Sequence, residues 1–154
     1  MAADDTAPDT RLSDDMNGIN PAVTDQLVRL MLGGIPVGRS AHTLHCRLRY
    51  FDAEKRRAGL PEDVAALVEG MSDDEVTVRL VNLDPIRERH VVIQGGAYGE
   101  HKMGSVAVEG GAKVDVPGDG SAFTVRLAPG AGSRLTISQD RFSRQPTFTF
   151  PWDR

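Results

Sequence analysis

The chain has 154 residues, of which 40% are hydrophobic, 26% charged and 5% aromatic. That length fits one domain and excludes a paired dinucleotide-binding fold or a (β/α)8 barrel, each needing roughly 200 residues or more. The net charge of -4 belongs to residues 1–18, where Asp4, Asp5, Asp9, Asp14 and Asp15 face Arg11 alone; the formally neutral remainder gives no electrostatic case for nucleic acid.

No run approaches the ~18 consecutive apolar residues of a membrane-spanning helix, so no membrane partner is expected. Met1-Ala2-Ala3-Asp4-Asp5 has neither the basic region nor the apolar core of a secretory signal. A single cysteine, Cys46, excludes an internal disulfide framework and fits a reducing, cytoplasmic setting. Residues 1–18 are too polar to offset their ordering entropy and read as a disordered acidic tail.

Residues 19–41 read as a helix and a connecting segment. Asn20-Pro21 suits a helix start. Val23, Leu27, Leu30 and Met31 then recur at helical spacing until Gly33-Gly34 stops them. A helix so short needs something to lie against, either its own domain or a partner.

From residue 42 onward the period changes to that of a β-domain. Leu44, Cys46, Leu48 and Tyr50 alternate with Thr43, His45, Arg47 and Arg49, predicting a strand with one wet face. Leu60-Pro61-Glu62-Asp63 suits a second helix start, with Val64, Leu67 and Val68 as its stripe and Gly70 as its end. Strands follow at Val76–Val81, His90–Ile93, Val106–Val108, Val114–Val116, Phe123–Leu127 and Leu135–Ile137. Gly110-Gly111, Pro117-Gly118-Asp119-Gly120 and Ala128-Pro129-Gly130 separate them as turns. Phe148, Phe150 and Trp152 suggest a last alternating strand. The pattern is that of a mostly β protein: an antiparallel β-sandwich, Ig-like or jelly-roll-like, of about eight strands. Two short helices sit on its amino-terminal side.

Chemistry is harder to find. On a strand, His42 and Cys46 face one way and His45 the other, so the three do not converge on an ion, and no metal or other cofactor is expected. Asp73-Asp74-Glu75 lacks a calcium loop and reads as a solvated turn. No nucleophile motif occurs, and no catalytic residue is assigned. Gln94-Gly95-Gly96-Ala97-Tyr98-Gly99-Glu100-His101 is the most distinctive stretch. It reads either as a glycine-rich connection with Tyr98 packed across it, or as a ligand site. In the second case Tyr98 stacks on the ligand while Glu100, His101 and His90 make polar contacts.

Two stretches carry a resemblance. Val76–Asn82 through Arg89–Ile93, and Phe123–Gly130 followed by Arg134–Ile137, resemble the opening and closing hairpins of carboxy-terminal β-sandwich domains on bacterial glycoside hydrolases and related multidomain enzymes. The similarity covers about residues 75–138. It implies a non-catalytic accessory module or small subunit that packs on a larger enzyme, with Val23, Leu27, Leu30 and Met31 as the candidate partner face. Two alternatives accompany that reading: a carbohydrate-binding module using exposed aromatics such as Tyr98, Trp152 or Tyr50, and a small metal-dependent enzyme using His42, His45, His90, Glu100 or His101. Homo-oligomerisation is compatible with each.

Overall fold

Val76, Val78 and Leu80 point inward while Thr77, Arg79 and Val81 point outward, and that alternation sets the architecture. The computed structural model describes residues 24–35 and 43–154. Within them lie one helix, α1 (Asp25–Leu32), and eleven strands. In chain order these are β1 (Gly34–Ile35), β2 (His45–Cys46), β3 (Leu48–Asp52), β4 (Arg57–Ala58), β5 (Val64–Met71) and β6 (Glu75–Asn82). Then come β7 (Arg89–Gly95), β8 (Lys102–Val108), β9 (Lys113–Asp115), β10 (Ala122–Leu127) and β11 (Gly132–Asp140), with a 3-10 turn at Pro151–Asp153. The acidic tail and the Asn20-Pro21 helix start, with Val23 and His42, lie outside the described residues.

All pairings are antiparallel. A four-stranded sheet runs β10-β7-β3-β4, a five-stranded sheet β5-β6-β11-β8-β9, and β1 pairs with β2. Leu48, Tyr50, Val91, Ile93 and Leu127 of the first sheet meet Val68, Val76, Val78, Leu80, Met103, Leu135 and Ile137 of the second in one core. Register fixes which face each residue takes: Tyr50 and Phe123 flank Ile93, so all three turn inward together. The helix α1 lies against β5, with Val28, Met31 and Leu32 packed inward. Gly33 ends it in the left-handed region (φ 61°) and returns its N–H to the Arg29 carbonyl.

Three local expectations are corrected. The segment from Val64 is strand β5, not a second helix. Val64, Ala66 and Val68 face inward at a period of two, and seven residues pair with β6 across a bulge at Glu69. Val64 and Val68 satisfy both periods, and pairing across a sheet outweighs a weak helical preference. The segment Phe148–Trp152 is not a strand. Pro146 and Pro151 remove ladder donors, and the segment crosses the outer face of the four-stranded sheet as a strap. Residues 43–50 do not form one strand either. The run bends at Arg47, which turns inward between β2 and β3 and is only 6% exposed.

The inward turn of Arg47 gives its guanidinium three partners: Nε donates to Gln139 Oε1 (2.7 Å), Nη1 to the Ser72 carbonyl (2.7 Å) and Nη2 to the Glu75 carbonyl (3.0 Å). Its backbone carbonyl accepts from Gly96 N–H (2.9 Å) and from Gln139 Nε2 (3.0 Å). One residue thus joins β11, the β5–β6 turn and the loop after β7. Removing the side chain takes the charged donor from the Ser72 carbonyl and from the buried Gln139 amide oxygen, while the Glu75 carbonyl keeps the Ser72 N–H. Arg47→Ala should lower stability by about 3 kcal/mol, a fall in melting temperature on the order of 10 °C. Chemical denaturation reads it, and a loss below about 1 kcal/mol would show that water replaces the guanidinium at no great cost.

Candidate functional site

The loop joining β7 to β8 closes upon itself. Gly96 and Gly99 have φ of 84° and 73°, a region glycine enters freely, and a Cβ at Gly96 would strike the Glu100 carboxyl group. Glu100 is buried and accepts the N–H groups of Ala97 (3.2 Å) and Tyr98 (2.7 Å). From the strand side, Gln94 Nε2 donates to the carbonyls of Gly96 and Ala97, both at 3.1 Å. Both Glu100 oxygens are therefore engaged within the loop, and only Tyr98 of the predicted loop residues reaches the surface.

Beside it, His101 is almost wholly buried. Its Nδ1 accepts the N–H of Phe142 (3.1 Å), whose ring stands edge-on to the imidazole at 4.7 Å. That bond holds the ring neutral, with its proton on Nε2. Burial, more than the charges on Arg47 and Arg141, pushes the His101 pKa below 6.5, against the opposing pull of Glu100. The fourth predicted residue, His90, lies apart on the outer face of β7, with Nε2 2.7 Å from Glu88 Oε1. Burial pushes the Cys46 thiol up to about 12, which leaves no thiolate at neutral pH. Among the described residues no three His, Cys, Asp or Glu side chains gather as a metal site requires.

The strap supplies what the sequence reading missed. Arg144 N–H donates to the Glu100 carbonyl and Thr147 N–H to the Tyr98 carbonyl, anchoring the strap on the loop. Phe150 and Trp152 stack at 5.0 Å, and both meet the Phe51 ring edge-on. Arg56 covers the Trp152 ring and pairs with Asp153. Arg154 then returns to β7, donating from Nη2 to Gln94 Oε1 (2.9 Å). Between strap and sheet remains a cavity of about 170 Å³, lined by the polar Arg49, Gln94 and Arg154, by the rings of Phe51, Phe148 and Phe150, and by two threonines of the strap. In the sequence, Arg49 looks like any wet-face residue, and Arg154 has no local signal because its place depends on the strap folding back. The alternation Thr147-Phe148-Thr149-Phe150 was visible but fits a strand equally well.

Other aromatics are committed elsewhere. Tyr50, a candidate sugar platform, is a core residue whose hydroxyl donates to the Met31 carbonyl (2.7 Å). Tyr98 and Phe148 meet edge to face, their planes 70° apart. On α1, Met31 packs inward while Leu27 and Leu30 stand 67% and 51% exposed. No family model, curated protein or solved structure matches the chain.

The neutral His101 has a measurable consequence. Its folded pKa lies below the unfolded value near 6.5, so below that pH the unfolded chain takes up a proton that the native ring resists. Stability should therefore decline as the pH falls from about 7 to about 5. His101→Asn, which keeps an acceptor for the Phe142 N–H, should flatten that decline. Equal slopes for the two proteins in pH-dependent denaturation would place its origin elsewhere.

Proposed function

We propose that this chain is a non-catalytic β-sandwich module, Ig-like or jelly-roll-like, that packs on and supports a larger enzyme. The observation that carries the reading is the outward side of α1. Leu27 and Leu30 project from a helix whose opposite side is already seated on β5, and apolar side chains so placed favour a protein partner. The internal duties of Glu100, His101 and Cys46 also support it, since each serves the fold rather than a reacting centre. The likeness of residues 75–138 to sandwich domains of multidomain enzymes points the same way. Replacing Leu27→Glu and Leu30→Glu together should leave the melting temperature nearly unchanged, because neither side chain is buried. In affinity purification from native extract, the pair should remove a stoichiometric enzyme larger than the module. Failure of the intact chain to retain any such enzyme would sink the reading.

Phe148 favours a second reading, binding of a sugar. Its ring is 90% exposed beside Tyr98 and offers one open face to a pyranose. In native gels containing a soluble polysaccharide, this reading expects retardation that Phe148→Ala abolishes. Identical mobility with and without polysaccharide removes it.

A further inference from the structure

We infer that the cavity beneath the strap is a binding site for a small carboxylate anion carrying a ring-sized apolar body. Two guanidiniums, those of Arg49 and Arg154, border this one cavity, and none of the residues lining it is acidic. Both are oriented by neutral acceptors. Arg49 donates from Nη1 to the Ala97 carbonyl (2.7 Å) and lies over the Phe51 ring, its centre 5.1 Å from the centroid. Arg154 donates to the Thr149 carbonyl from Nε (3.1 Å) and Nη2 (2.8 Å), and to Gln94 Oε1. These bonds aim the guanidiniums without neutralising them. Asp119, the acid whose charge bears most on Arg154, is itself taken up by Arg144.

An anion placed in this space would gain charge-assisted hydrogen bonds from guanidiniums whose present acceptors are neutral. A planar carboxylate matches the guanidinium fork. The phenylalanine wall adds the second requirement, because a bare inorganic anion would sit against rings that offer it no donor. A cavity of about 150 Å³ accommodates one benzene ring, so about 170 Å³ suits a single ring with its charged group at the arginines. The contrast within the molecule is informative. The larger groove beside β8 and β11 is bordered by Asp74, Glu75 and Asp140 but also by Lys102 and Lys113, and mixed signs select no ion.

The test titrates the full chain with sodium benzoate against sodium chloride at matched ionic strength. It reads the fluorescence of Trp152, the only tryptophan, which stacks on the cavity residue Phe150. Benzoate should give a saturable change with a Kd on the order of 1 mM, as expected of so small a ligand. Arg49→Gln and Arg154→Gln should each weaken it roughly tenfold. Arg79→Gln, on the outer face of the other sheet, should leave it unchanged. Equal responses to benzoate and chloride, or full benzoate affinity in both cavity variants, would overturn the site. Tighter binding of inorganic phosphate than of benzoate would overturn the carboxylate class. Because the site does not involve α1, its failure and the failure of the partner reading are separate results.

Discussion

A buried guanidinium organises one end of this sandwich. Arg47 lies between β2 and β3, and burial lowers its pKa, helped by the charge on Arg141 and opposed by Asp73 and Asp74. It bonds to no carboxylate; its hydrogen-bond partners are two carbonyls of the β5–β6 turn and the Gln139 amide. Each bond to a charged donor contributes about 1.5–3 kcal/mol in favourable cases, while moving a charge out of water costs several kcal/mol. The net gain in stability is therefore modest. The geometric effect is large, because only one arrangement of turn, strand and loop satisfies all the groups at once.

The effect reaches the surface through the backbone. The Arg47 carbonyl receives the Gly96 N–H, which fixes the start of the glycine loop. Glu100 closes that loop from within, and the carbonyls of Tyr98 and Glu100 then hold the strap at Thr147 and Arg144. The cavity beside Arg49 and Arg154 thus depends on a continuous series of bonds from the interior outward. Residues close to it in space are distant in sequence, as the Gln94–Arg154 bond across 60 positions shows.

That separation explains what could be read from the sequence. β6, β10 and β11 announce themselves because each carries a period-two pattern matching its burial, whereas β7 is buried on both faces apart from His90. The turns at Gly110 and Gly118 lie in the left-handed region their glycines suggested. β5 misleads because a valine every fourth residue suits a helix and a strand alike. The inward turn of Arg47 has no local mark, since charge and alternation both assign it to solvent. Around the loop, the glycines and Tyr98 were visible, but the inward duty of Glu100 and the return of Arg154 are set by contacts that periodicity does not encode.

The two outer faces of the sandwich differ in a way that bears on where binding resides. On the five-stranded sheet, Glu69 bridges Arg79 and Arg134 in the open, where ion pairs contribute about 0–1 kcal/mol and water competes for every charge. On the four-stranded sheet, Phe51 and Val92 stand side by side on the outer face and would expose an apolar patch. The strap covers them with Phe150 and Trp152 but does not fill the space toward Gln94. Arg49 is half-buried there and Arg154 exposed, and both donate to neutral acceptors, whereas Arg79 and Arg134 on the opposite face each donate to the Glu69 carboxylate.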